Sequence, residues 1–173
     1  MNSLNENRLK PLTPYDITAD SYDILYSKEQ WDKYSIALSR LELKRRDRIL
    51  DAGCGTCLFY EYLVSKGKEF KYYVGLDISA GMLDKCLEKQ VFVDPKVDLV
   101  LGDIGEPPFR TSIFTKIFAF TVLDLINNDK VLERLRRLLD HGIIVYTLLK
   151  HRGCEPGIEG DLDVKDCIYL LTA

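Results

Sequence analysis

The sequence is poor in the residue types from which several protein classes are built. It has one tryptophan and two histidines, and its five cysteines are an odd number. Five cysteines in 173 residues do not make a disulfide-held scaffold, so we expect a reducing, cytoplasmic environment. With two histidines and no second Cys-x-x-Cys pair, the sequence contains no recognisable zinc motif, and we expect no bound metal.

Long hydrophobic runs and an excess of positive charge are also absent. The apolar stretches fall far short of the roughly 18 residues that a membrane helix needs, so we expect no membrane association. Residues 1–8 lack the apolar segment of a secretion signal. The formal net charge is −3, which argues against a domain built around a nucleic-acid backbone.

What remains is a globular composition. Hydrophobic residues make up 46% of the chain and charged residues 29%, which is close to the usual balance of soluble domains. A length of 173 residues predicts one domain, residues 1–173, with no room for a separate second domain.

Helical and extended patterns alternate along the chain after residue 26. We expect helices around residues 27–43, 58–63, 79–87 and 129–139, with Gly142 as a helix stop, and strands at 48–51, 72–77, 98–103, 116–122, 143–149 and 167–172. Strands that alternate with helices predict a three-layer α/β sandwich with a Rossmann-like, mostly parallel sheet. After Leu149 we expect only one further strand.

A glycine-rich turn follows the first predicted strand. In Asp51-Ala52-Gly53-Cys54-Gly55, the glycines allow the backbone to turn sharply and to approach a ligand closely. Asp51 suits a cationic ligand better than a diphosphate, which binds at helix N-termini. The turn therefore argues against a nicotinamide-dependent oxidoreductase.

Four motifs occur in order and together resemble the class I S-adenosylmethionine-dependent methyltransferases. They are Tyr15-Asp16 with Tyr22-Asp23, then Asp51 to Gly55, then Gly75-Leu76-Asp77-Ile78-Ser79 with Met82, and finally Gly102-Asp103-Ile104 with Pro107-Pro108-Phe109. The resemblance covers roughly residues 15–150. Because the full family fold carries two strands after this part, where we expect one, the resemblance implies a fold shortened at its C-terminal end. It divides the single domain into an N-terminal lid and helix (1–45), a cofactor-binding core (46–150), and a C-terminal loop with the last strand (151–173).

The resemblance implies S-adenosylmethionine as cofactor and assigns roles to the motif residues. Asp77 would accept hydrogen bonds from the ribose hydroxyls, and Asp103 with the Ile104 amide would contact the adenine. Asp51 would lie near the ligand's ammonium group. The implied cofactor-binding residues are Tyr15, Tyr22, Asp51, Gly53, Cys54, Gly55, Asp77, Ile78, Met82, Asp103, Ile104 and Thr121. Simple turns at Asp77 and Asp103, and plain core packing of Met82, stay open as alternatives.

Two positions depart from the family pattern. Cys57 stands where a further glycine often occurs, and Thr115 stands where the family usually has aspartate. Cys54 and Cys57 also form a Cys-x-x-Cys pair, but Cys54 belongs to the glycine motif and no redox context flanks it. We therefore do not expect a redox function.

The acceptor side carries no clear signature. The Asn-Pro-Pro-Tyr tetrapeptide that marks methylation of planar amino groups is absent, and no catalytic residue is identified. Asp124 and His151 follow strands on the expected side of the sheet, and Tyr22 could shield the reacting methyl group. Surface positions for Asp124 and His151, and lid packing for Tyr15 and Tyr22, stay open.

The expected function is methyl transfer from S-adenosylmethionine to an unidentified small-molecule or protein acceptor. In-line placement of nucleophile and methyl group can lower the barrier without a base. One alternative is a nucleic-acid (tRNA) methyltransferase, which rests on Lys44–Arg48 and on Arg134, Arg136 and Arg137. Another is a cofactor-binding, non-catalytic module that works with a partner protein, and an activating partner fits either alternative. The oligomeric state is left open, and residues 1–26 are expected to be mobile without ligand and ordered with it.

Overall fold

The computed structural model describes residues 14–89, 94–125, 128–150 and 166–172. The helices are α1 (Pro14–Ser39), α2 (Leu58–Ser65), α3 (Ala80–Glu88) and α4 (Asn128–Leu138), with a short 3₁₀ turn at Leu123–Leu125. The strands are β1 (Arg48–Ala52), β2 (Tyr72–Asp77), β3 (Val97–Leu101), β4 (Phe114–Ala119), β5 (Leu139–Leu149) and β6 (Asp166–Thr172).

The six strands form one sheet in the order β3-β2-β1-β4-β5-β6. All neighbouring pairs are parallel except β5 and β6, which are antiparallel. The chain moves outward from β1 to β3 and then returns to the other side of β1 with β4. Ligands of open α/β sheets bind at such a reversal, outside the carboxyl ends of the strands. The expected three-layer, mostly parallel α/β fold is therefore confirmed.

Each face of the sheet is covered by its own hydrophobic core. One core is rich in aromatic side chains and joins the sheet to α1, α2 and α3; Phe59 at its centre lies 4.5 Å from Phe118 and 5.0 Å from Tyr34, measured between ring centroids. The other core is mainly aliphatic, and α4 contributes Val131, Leu135 and Leu138 to it. Alternate residues of β1 serve the two cores, which is why this strand contains no exposed residue.

The first helix begins earlier than its sequence pattern predicts. The apolar periodicity places its start near residue 27, whereas α1 begins at Pro14, and proline is well suited to a first helical position. Tertiary contacts hold the early turns, since Asp20 lies 2.7 Å from Lys85 and Asp23 lies 2.5 Å from Lys89, both measured to the lysine Nζ. The expected lid thus includes, in residues 14–26, the first half of a long helix.

Gly142 does not end α4, as predicted from its position, but lies inside β5. The helix ends at Leu138 and the strand begins at the next residue. A Cβ at Gly142 would come within 2.1 Å of the Thr115 carbonyl oxygen. Glycine is needed here because the backbones of β4 and β5 approach closely, next to a register shift between Phe114 and Lys116.

The last strand, predicted at residues 167–172, is observed as β6 and packs antiparallel at the sheet edge. Within the described ranges, no helix combines the length and the apolar character needed to cross a membrane.

Candidate cofactor site at the carboxyl edge of the sheet

The loop after β1 is held by backbone contacts that only a tight turn can make. Gly53 and Gly55 have φ values of +81° and +54°, where side chains are strained. The amides of Gly53 and Cys54 both donate to the Leu76 carbonyl oxygen, at 2.8 and 3.1 Å. A Cβ at Gly53 would lie 2.8 Å from a methyl group of Val122, so this glycine also lets the loop lie against the end of β4.

Asp77, the last residue of β2, connects this loop to α3. Its Oδ2 accepts a hydrogen bond from the Gly55 amide at 2.8 Å, and its Oδ1 accepts one from the Ser79 amide at 2.9 Å. Ser79 in turn caps α3 as expected, since its hydroxyl accepts from the Met82 amide at 3.1 Å. The Asp77 carboxylate is therefore fixed in orientation, and it faces a pocket.

Most of the predicted cofactor residues line that pocket. Those that line it are Tyr22, Gly53, Gly55, Asp77, Ile78, Met82, Ile104 and Thr121. Sequence reasoning missed four further lining residues, namely Leu76, Gly102, Phe120 and Val122. Leu76 and Gly102 adjoin predicted motif residues, which is a signal that could have found them, whereas Phe120 and Val122 flank a turn with no family signature.

Other predicted residues lie outside this lining. Asp103 is exposed, and its Oδ1 accepts from the Gly105 amide at 2.7 Å, as in the simple turn that stayed open. Cys54 belongs to the glycine loop, but its side chain is buried and does not line the pocket. Tyr15 lies in the first turn of α1, and its side chain is outside the described part of the chain.

Asp51 is buried beneath the loop rather than in the pocket. Its carboxylate accepts a hydrogen bond from the Tyr73 hydroxyl, and its side chain is almost completely excluded from solvent. Burial raises the pKa of Asp51 to about 7, the Tyr73 hydrogen bond opposes this rise, and the nearby Asp77 charge adds to it. Asp51 is thus a carboxyl group poised to change its protonation state near neutral pH.

The turn after β4 is anchored by a buried polar cluster. Thr121 has a φ of +56°, and its hydroxyl accepts hydrogen bonds from Lys33 Nζ at 3.0 Å and Gln30 Nε2 at 3.2 Å. Its amide donates to the Thr147 hydroxyl at 2.8 Å. Lys33 Nζ also lies 2.7 Å from Asp166 on β6, and neither side chain is exposed to solvent. This Lys33 cluster was not predicted, because Lys33 and Asp166 are far apart in sequence.

The three catalytic candidates differ in position. Tyr22 lines the pocket, with its ring 4.9 Å from that of Tyr26. Asp124 lies in the 3₁₀ turn, where its Oδ2 accepts from the Leu149 amide at 2.9 Å. His151 lies outside the described residues. Methyl-transfer roles for these residues stay predictions.

The structure contains a disulfide bond that the sequence did not predict. Cys57 and Cys86 form a disulfide, and Cys167 is also disulfide-bonded. Spacing along the chain could not pair Cys57 with Cys86, because the fold brings α3 back against the start of α2. Cys54 is free and buried, and the sulfur atoms of Cys54, Cys57 and Cys86 all lie within 4.8 Å of one another.

The arginines considered as a nucleic-acid patch mostly contact carboxylates. Arg45 donates to both oxygens of Glu69 at 2.6 Å, and Arg48 pairs with Asp140. Arg134 lies 2.6 Å from Glu106, and Arg137 lies 3.3 Å from Glu133. These pairs reduce the net positive charge that the clusters present.

Comparisons with known proteins agree with this geometry. The methyltransferase-domain family model matches residues 49–142. The bovine (Bos taurus) 18S rRNA (guanine-N(7))-methyltransferase is 36% identical over 46% of this chain and 26% of its own length. The Saccharomyces cerevisiae 18S rRNA (guanine(1575)-N(7))-methyltransferase is 33% identical over 68% of this chain and 42% of its own length. The matched segment thus spans less than half of either relative.

A solved structure shows the same fold. It is the complex between the Haloferax volcanii Trm112 methyltransferase activator and a methyltransferase, and it matches with a TM-score of 0.72 and 20% identity over 80% of this chain and 62% of that one. The family model covers more than half of the chain and contains the glycine loop, Asp77 and Asp103. The chain therefore belongs to the class I S-adenosylmethionine-dependent methyltransferase family.

Proposed function

We propose that the chain is an S-adenosylmethionine-dependent methyltransferase whose acceptor is RNA, at N7 of a guanine. The observation that carries the cofactor assignment is the orientation of the Asp77 carboxylate, which both the glycine loop and α3 hold toward the pocket. An ionised acceptor at a strand end suits a vicinal diol, because two adjacent hydroxyls can donate to one carboxylate.

The residues around the pocket fit the rest of the cofactor. Ile78, Met82 and Ile104 give an apolar slot that suits the adenine ring. Asp103, which directly precedes Ile104 in the chain, would accept from the adenine amino group. A Cβ at Gly55 would meet nothing within 4 Å, so the loop leaves open space for the methionine portion. The cofactor supplies a methyl group already activated on a sulfonium.

Asp51 would act from beneath the loop. When ionised, its buried carboxylate would favour a cationic ammonium group above it, and this ligand charge would in turn favour the ionised form.

The RNA acceptor is supported by what the bovine and yeast relatives act on according to their names. This reverses the order of preference from the sequence, in which a small molecule or protein ranked above nucleic acid. Guanine N7 carries a free electron pair and no proton, so its methylation requires no general base. The Thr121 turn and Tyr22 border the pocket where the acceptor would enter.

The proposal includes an activating protein partner. The Haloferax volcanii neighbour is in complex with the Trm112 activator. In this chain β3 is an outer strand of the sheet, none of its residues is fully buried, and Leu101 is 47% exposed. An open strand edge offers unpaired backbone groups to another chain, so we assign the partner to this edge.

Two measurements, made one after the other, test the proposed function. Calorimetry with S-adenosylhomocysteine should give one binding site per chain, and absence of heat would contradict the cofactor assignment. Labelled S-adenosylmethionine should then transfer its methyl group to ribosomal RNA, and nuclease digestion with mass spectrometry should identify 7-methylguanosine.

Other outcomes select the alternatives. Label in protein or in small molecules would replace the RNA acceptor. Cofactor binding without transfer to any acceptor, both alone and with a Trm112-type protein, would favour a non-catalytic module.

A further inference from the structure

Cys57 occupies a backbone position that normally requires glycine. It precedes α2 with a φ of +64°, it is fully buried, and its side chain makes no capping hydrogen bond. A left-handed conformation at a non-glycine residue costs roughly 1–2 kcal/mol. The cysteine therefore does not stabilise the backbone at this position, and its distinguishing contact is the disulfide with Cys86.

The position of the disulfide partner indicates what this contact does. Cys86 lies on α3, one turn after Met82, which lines the cofactor pocket. Cys57 lies two residues after Gly55 in the loop that follows β1, and Gly55 lines the same pocket. The bridge, with 5.4 Å between the two Cα atoms, therefore ties together two walls of the pocket.

We infer that the Cys57–Cys86 pair is a redox modification site whose oxidation state sets the affinity for the cofactor. The inference rests on the proposed cofactor. Oxidation converts two thiols into the disulfide while a low-molecular-weight disulfide, such as oxidised glutathione, takes up the two electrons and two protons and is released as two thiols. A dithiol reductant reverses the step and leaves as a cyclic disulfide. Because both sulfurs are buried in the closed structure, the exchange takes place during local opening of the loop against α3.

Reduction must disturb the pocket for a steric reason. Bonded sulfur atoms are about 2 Å apart, whereas atoms in non-bonded contact need about 3.5–4 Å. Both cysteines are fully buried, so the extra distance has to come from movement of the loop, of α3, or of both. Gly55 connects the loop to both elements, since its carbonyl oxygen is 3.1 Å from Cys86 Sγ on α3 and its amide donates to Asp77 at the end of β2. A shift of the loop against α3 is thereby passed to the residue assigned to the ribose.

The third cysteine of the cluster leaves this bridge intact. Burial raises the pKa of the Cys54 thiol well above its usual value, and the nearby charges of Asp51 and Asp77 raise it further. A neutral thiol is a poor nucleophile, so Cys54 does not attack the adjacent disulfide at neutral pH.

The decisive experiment measures S-adenosylhomocysteine affinity in two redox states. The wild-type protein is prepared oxidised, with the Cys57–Cys86 peptide verified by mass spectrometry, and then reduced with dithiothreitol. We expect the reduced form to bind about 5–50-fold more weakly, within the range common for coupled sites. Equal affinity in both states would overturn the redox inference and leave the cofactor assignment standing. No binding in either state would contradict both.

Three variants locate the effect. Cys86→Ala and Cys57→Gly each remove one of the two crowded sulfurs together with the bridge, so neither variant should respond to dithiothreitol; glycine suits the φ of position 57 and guards against misfolding. Cys167→Ala is the matched control, because it removes the other bridged cysteine and should keep the full response. A response that survives in Cys86→Ala, or disappears in Cys167→Ala, would assign it to another bridge.

Thermodynamic reciprocity gives a second readout. If oxidation tightens cofactor binding, saturating S-adenosylhomocysteine must shift the Cys57–Cys86 equilibrium with glutathione toward the disulfide by the same factor. The shift is measured by alkylating free thiols at a series of glutathione ratios. An equilibrium that does not change on cofactor binding would contradict the inference.

Discussion

The two halves of the carboxyl edge of the sheet are built in different ways. The half formed by β1, β2 and β3 uses backbone amides, glycines and the short-range contacts of Asp77. The half formed by β4, β5 and β6 uses a buried polar cluster in which Lys33 on α1 meets Asp166 on the last strand. Under the proposed function, the first half would hold the cofactor, and the second would set the position of a turn where an acceptor would enter. Variants of each half should therefore fail in different ways.

The largest expected effect is in the acceptor half. Lys33→Met should lower the free energy of unfolding by about 3–5 kcal/mol, because it leaves the Asp166 charge buried and unpaired. Denaturant unfolding followed by circular dichroism measures this. The double variant Lys33→Met/Asp166→Leu should recover most of the loss. Lys28→Met is the control, because it removes the exposed i,i+4 pair with Asp32 on the same helix and should change stability little. A single variant as stable as the wild type would mean that the cluster contributes no net stability.

The second effect concerns the contact between the two halves. Gly53→Ala should cost about 2–3 kcal/mol of stability, from its positive φ and from the clash of its Cβ with Val122. Gly55→Ala shares the positive φ but meets no neighbour, so it should cost only the backbone part of that penalty, about 1 kcal/mol.

A double-mutant cycle isolates the clash. Val122→Ala should partly rescue Gly53→Ala and should leave Gly55→Ala unchanged. Similar losses of stability in both glycine variants, without rescue by Val122→Ala, would mean that Gly53 and Val122 are not in tight steric contact.

The third effect is confined to the cofactor half. Asp77→Ala should weaken S-adenosylhomocysteine binding about 10–100-fold, because each hydrogen bond to a charged acceptor contributes roughly 1.5–3 kcal/mol and each 1.4 kcal/mol is a factor of ten. Asp77→Asn should be milder, since its amide oxygen still accepts. Calorimetry measures both, with Asp84→Ala on the exposed face of α3 as control. Unchanged affinity in Asp77→Ala would remove the ribose assignment, and loss of the fold would reduce Asp77 to a turn residue.

The last effect is a pH dependence from Asp51, which is measured as a slope rather than as a single loss of stability. Its pKa is raised from the ordinary value of 3.8 to about 7 in the folded chain. Between these values the folded state binds more protons than the unfolded state, so stability falls as pH rises from about 4 to 7, by at most about 1.4 kcal/mol per pH unit. Thermal unfolding across this range should show the slope in the ligand-free wild type, and Asp51→Asn should flatten it. An equally steep slope in the variant would assign the pH dependence to other groups.

The difference between the two halves of the sheet edge also explains which residues could be predicted from the sequence. Asp77, Ser79, Gly53 and Gly55 act on neighbours a few residues away or at adjacent strand ends, so strand-turn-helix patterns were enough to predict their place. The Lys33–Asp166 pair depends on β6 returning to the sheet beside β5, which local patterns do not encode. Gly142 was predicted to end a helix because a glycine after helical residues is typical of a helix end, whereas its real constraint is the nearby backbone of Thr115.

The buried position of Lys33 has a mechanical consequence for α1. The exposed contacts of Asp20 and the partly exposed contacts of Asp23 hold the early part of the helix to α3, whereas Lys33 fixes its later part inside the protein. Any opening of α1 over the pocket therefore has to pivot near Lys33. Tyr22 lies eleven residues earlier, which makes a lever arm of about 16 Å at 1.5 Å per residue. A rotation of only about 10° would carry the Tyr22 ring, which lines the pocket, by about 3 Å.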